Sequence, residues 1–193
     1  MNPEDIRPEY IVNFSQCTID YLEDDKNTFA HVLVSEQCHG KLGFAMIGSA
    51  MAAFESYAWL LFQKFDQSKW NKALFNQLLN DSRFFDKSKY GDENAFYSII
   101  RCGVVHQLYP KDAIIVAKNT TQILYRHNGK LCVNSYALYC DVLEGIKKIH
   151  LYIDMLTQEE KLDLTITLLL RTKVDEETAD NCSIDISTLP DLH

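Results

Sequence analysis

The chain has 193 residues, of which 47% are apolar and 24% charged. That length sets a prior of one domain and is enough to bury a real core without disulfides or a structural metal. The composition excludes wholesale disorder. The net charge of −8, from 19 Lys and Arg against 27 Asp and Glu, argues on total charge alone against a phosphate-rich partner.

The six cysteines, at 17, 38, 102, 132, 140 and 182, include no CxxC pair and no zinc-type spacing. They read as reduced thiols of a cytoplasmic protein, several of them packed in the core. The first residues lack the basic and then apolar layout of a signal peptide.

In chain order, residues 8 to 23 and 26 to 38 read as two amphipathic helices. Gly40 sets them off from a long apolar helix over about 42 to 65. The stretch from Leu42 to Phe62 has the length of a membrane span. Its small residues and its one charge, Glu55, favour a buried central helix instead. Residues 68 to 80 form another helix, with Ser68 as cap and Trp70, Leu74 and Leu78 along one face. Residues 81 to 92 read as a polar loop.

A helix is predicted from about Glu93 to Leu108. Asp92 or Asn94 caps it, Pro110 ends it, and Phe96, Ile100 and Val104 form its apolar stripe. The period then changes. Ala113 to Ala117 is a short β-rich run, and Asn128-Gly129 between two apolar triplets is a strong hairpin signal. Helix returns at about Tyr136 to Leu156. Thr157-Gln158-Glu159-Glu160 reads as a capping box for a last helix, whose alternating leucines also suit a strand. Residues 173 to 193 read as an acidic tail, flexible or packed on a partner.

The densest candidate chemistry is Arg101-Cys102-Gly103-Val104-Val105-His106. With its surroundings, Phe96 to Gln107, it resembles the Arg-x(4–6)-His motif of the HEPN superfamily. The resemblance is firm over this helix and looser over about 42 to 156. It implies an antiparallel helical bundle in which the hairpin at about 113 to 134 is an insertion, the helices of 8 to 38 are an N-terminal addition, and residues 1 to 172 make one domain. It also implies metal-independent RNA cleavage in a cleft shared by two protomers, with no cofactor. His106 would then move the proton of the ribose 2′-hydroxyl or of the leaving oxygen. Arg101 would hold the scissile phosphate. The physical chemistry agrees: histidine titrates near neutrality, and arginine grips phosphate with a permanent planar charge. Members of the family often carry a polar residue directly after the arginine, a position held here by Cys102.

Around that pair, Glu55 is a carboxylate that either salt-bridges and orients Arg101 or faces solvent. Tyr97, four residues before Arg101, either lies beside it or is a satisfied core tyrosine. Tyr109 and Lys111 either flank a cleft as stacking and phosphate-binding groups or simply end a helix. Arg101 and His106 themselves also fit a structural role, pairing with local carboxylates or carbonyls. On a regular helix their side chains point ~140° apart. His31, Cys38 and His39 match no standard zinc site, so no metal is expected. His150 reads as a surface or interface histidine. The expected partners are a second copy of the chain, RNA, and an antitoxin or other protein.

The distribution of charge revises the opening inference. Residues 1–25 hold seven acids and one base, and residues 154–193 hold ten acids and three bases. The middle holds fifteen bases and ten acids, a net of +5. Total acidity therefore does not exclude RNA, and the acidic ends fit a shield over a basic middle.

Overall fold

A computed structural model describes residues 6–34, 41–62, 71–103, 113–116 and 121–180. In chain order it contains α1 (Glu9–Val34), α2 (Lys41–Phe62), α3 (Asn71–Leu79), a 3-10 turn (Lys87–Lys89) and α4 (Glu93–Phe96), which runs on as a π-helical turn (Tyr97–Arg101). Strands β1 (Ala113–Val116), β2 (Leu124–His127) and β3 (Lys130–Asn134) follow, then α5 (Ser135–Met155) and α6 (Gln158–Asp180). The protein is mainly helical, with one small three-stranded sheet.

The helices form a bundle-like body around α2 and α5. Helix α2 packs on α5 and α3, while α1 packs on α5 and α6. The apolar residues of α2 explain its place: Met46, Ile47, Ala50, Met51, Phe54, Tyr57 and Ala58 are all buried. By length and composition α2 is the one helix among the described residues that meets the criterion for crossing a membrane. In α5 the predicted stripe Tyr139, Val142, Leu143, Ile146, Ile149 and Ile153 is buried throughout.

The β-segment at 113 to 134 is a sheet ordered β1-β3-β2, with β1 parallel and β2 antiparallel to β3. Asn128 and Gly129 both have positive φ, 51° and 74°, which is the type I′ geometry that matches strand twist. Gly43 lets α2 meet the sheet, since a Cβ there would stand 2.5 Å from Ile115 Cγ2. Asn134 ends β3 and caps α5 through the Ala137 amide at 3.4 Å.

Several boundaries differ from the sequence reading. The two N-terminal helices are one, Glu9–Val34, because the acidic step at Asp24 and Asp25 contains neither glycine nor proline. The loop from 81 to 92 is anchored by buried Phe84, Phe85 and Tyr90 rather than being simply polar. The last segment is helical to Asp180, so a tail beginning at 173 is corrected to helix over its first part. Its capping box is formed: Glu160 Oε2 accepts from the Thr157 amide and hydroxyl at 2.9 Å, and the Glu160 amide donates to Thr157 Oγ1 at 3.3 Å. Ser68, Trp70, Val104, Cys38, His39 and Cys182 lie outside the described residues.

Candidate functional site

The site is built where the central helix meets the helical segment that begins at Glu93. Asp92 receives the Phe96 amide at 2.8 Å and starts that segment. Phe96 and Ile100 bury its apolar side. From Tyr97 the backbone widens to the π pattern, in which the Cys102 amide bonds the Tyr97 carbonyl. Single π turns inside helices are uncommon and recur at functional sites. This one ends on Arg101.

Arg101 is 9% exposed. Its guanidinium makes a two-point pair with Glu55 of α2: Nε donates to Oε1, and Nη2 donates to Oε2 at 3.0 Å. The guanidinium carbon lies 5.5 Å from the ring centroid of Tyr97, within cation–π range. Both candidate supporting residues are thus beside Arg101, and Cys102 adjoins them. The hydrogen bond to Glu55 raises the Arg101 pKa further, and burial opposes it. Burial raises the Tyr97 phenol, and the Arg101 charge opposes that shift. Arg101 therefore keeps its charge at every ordinary pH. A phosphate reaching it must compete with the Glu55 carboxylate for the same planar donors. His106, Tyr109 and Lys111 lie outside the described residues.

Three other polar contacts escaped the sequence reading. His150 is half-buried between α5 and α1, and its Nδ1 stands 2.7 Å from Ser15 Oγ. Ser15 gives its proton to the Val12 carbonyl at 2.8 Å, so the network assigns the proton between them to Nδ1. With no exposed surface, Ser15 is a packing contact rather than a nucleophile. In a second cluster, Asp141 of α5 accepts from Lys89 Nζ and Tyr90 Oη, each at 2.5 Å, and pins the 81 to 92 loop to α5. Third, Arg83 pairs with Asp81 and stacks over Tyr152, 4.7 Å from its centroid. These partners lie far apart in sequence or on exposed faces, and no short motif announces them.

Among the described residues no group of three or more His, Cys, Asp or Glu side chains is placed to hold a metal ion. The described cysteines, Cys17, Cys102, Cys132 and Cys140, are free thiols, with Cys132 buried and Cys17 exposed. Compared with family models, with curated proteins and with solved structures, the chain matches none.

Proposed function

We propose that the chain is a HEPN-like, metal-independent endoribonuclease of the cytoplasm that acts as a homodimer. In this reading a ribose 2′-oxygen attacks the adjacent phosphorus and the bond to the 5′-oxygen breaks. His106 carries the proton of the attacking or leaving oxygen. Arg101 stabilises the charge that develops on the phosphate. Tyr109 and Lys111 of each protomer flank the strand, and RNA itself supplies the nucleophile. A cognate antitoxin or other protein is the expected partner. The observation that carries the reading is that Arg101, first residue of the Arg-x4-His motif, ends a π turn and is held by a carboxylate from the neighbouring long helix. Glu55 and Tyr97 are then positioning residues, holding the guanidinium in one orientation before substrate arrives.

One observation favours a second reading, a non-catalytic HEPN-like module that binds RNA, a nucleotide or a protein. Arg101 is mostly enclosed and already engaged by Glu55, as a purely structural arginine would be. The test is degradation of RNA by purified protein in chelator. The wild type is expected to release fragments. His106→Ala and Arg101→Ala are expected to lose roughly 100-fold or more of that activity. Equal rates in wild type and variants, or no fragments from any, would overturn the ribonuclease. Salt-dependent RNA binding without fragments would select the second reading.

A further inference from the structure

We propose that the groove between α1 and α2 binds a neutral, ring-bearing organic ligand whose acceptor oxygen takes a hydrogen bond from the Tyr57 hydroxyl. The groove has a volume of about 300 Å³ and is open to solvent along one side. That volume is at the lower end of small-molecule sites, ~300–1,000 Å³. On the α2 side the wall is made of small side chains, Ala52 and Ala53 among them. On the α1 side stand Phe14 and Tyr21, whose rings hold the space open and offer apolar faces. Tyr21 is 63% exposed, an unusual position for a large aromatic side chain.

The second observation is Tyr57 itself. It lies at the bottom of this groove, has no exposed surface, and its hydroxyl completes no hydrogen bond. Two other buried phenols are satisfied: Tyr139 donates to the Leu22 carbonyl at 3.1 Å, and Tyr90 donates to Asp141. Buried polar groups are ordinarily paired, so an orphan on a groove wall marks a donor awaiting an acceptor. Thr18 adjoins it, but the Thr18 hydroxyl gives its own proton to the Phe14 carbonyl at 2.9 Å. Burial pushes the Tyr57 phenol up to about 12, against the opposing effect of Thr18, so it stays a protonated donor at physiological pH.

The lining also sets the ligand's charge. None of the residues that line the groove is Asp, Glu, Lys or Arg. An ionised ligand would lose hydration there without a counter-charge, so a neutral one is selected. The phenol oxygen is shielded in the empty groove. Phe14, partly exposed and with its ring centroid 6.1 Å from that of Tyr57, is the side chain that must turn to admit the acceptor.

Benzamide, a neutral ring with a carbonyl acceptor, is the probe, and benzoate is its charged counterpart. Titration of the labelled protein by NMR should move the amide signals of Thr18, Ala52 and Ala53 at millimolar benzamide, and benzoate should bind more weakly. Tyr57→Phe should bind benzamide roughly 2- to 10-fold more weakly. Its melting temperature should be equal to or above that of the wild type, because the orphan hydroxyl is gone. Ala53→Leu, which fills the groove, should abolish the shifts. Unmoved groove signals, equal affinity in Tyr57→Phe, or benzoate binding as tightly as benzamide would each overturn the proposal.

Discussion

Glu55 and Arg101 are 46 positions apart in the chain, yet each lies in an apolar run where an unpaired charge is costly. That is why the pair was legible from sequence: two buried opposite charges need each other more than either needs any other residue. The carboxylate side chain is 22% exposed and the guanidinium 10%. Glu55→Ala should therefore cost about 2–3 kcal/mol, below the ~3–5 of a fully enclosed pair. Replacing both residues by methionine should recover most of that loss, since the desolvation of both charges disappears together. Equilibrium urea unfolding checks both numbers. A double variant as unstable as Glu55→Ala would show that the pair is itself a net source of stability. The Asp141 contacts with Lys89 and Tyr90 were not legible, because an exposed-looking loop and the polar edge of a helix offer no comparable necessity.

At the scale of elements, periodicity located every described helix longer than one turn, and the Asn128-Gly129 pair located the hairpin. The π turn at Tyr97–Arg101 left no such trace, because Tyr-Ser-Ile-Ile-Arg fits an α-helix as well. What widens it is tertiary: Arg101 must meet Glu55 while Phe96, Tyr97 and Ile100 stay buried. Gly145 in α5 is a similar case of packing overriding propensity. A Cβ there would lie 2.2 Å from the Phe85 ring, which Phe54 also holds at 4.9 Å between centroids. Alanine gains about 1 kcal/mol of helix propensity, while overpacking costs about 1–3. Gly145→Ala should therefore lower the unfolding midpoint, and Gly145→Ala with Phe85→Leu should restore it. A stabilised single variant would show that the ring has room to move. At the start of α6 the capping box makes stability depend on acidity. The Thr157 amide and hydroxyl hold the Glu160 carboxyl below its usual 4.5, so the unfolded chain binds its proton first. The cap's stabilisation is complete above pH 4.5 and fades as pH falls through the lowered value. Glu160→Ala should therefore differ from the wild type at neutral pH and converge with it in acid. A gap that persists in acid would remove the carboxylate from the cap.

At the scale of the whole molecule, the two acidic ends of the sequence are brought together, because α1 packs on α6. Acidity is thus concentrated on the α1–α6 side, and the net +5 belongs to residues 26–153. Replacing Asp175, Glu176 and Glu177 by their amides should raise RNA affinity at low salt and change little at high salt, where the Debye length shrinks to ~3 Å. Unchanged low-salt affinity would sink the shielding idea. The charge count could show that the ends are acidic, but only the fold shows that they share one side. The same α1–α5 contact has a consequence during synthesis. Tyr139 Oη reaches the Leu22 carbonyl across 117 positions, and His150 reaches Ser15 across 135. At ~5–20 residues per second, α1 and the apolar α2 emerge roughly 6–25 s before α5 exists to cover them. A nascent chain halted before Ser135 should therefore be held by chaperones or aggregate, and the ribosome should release a stable fold only once α5 has cleared the exit tunnel.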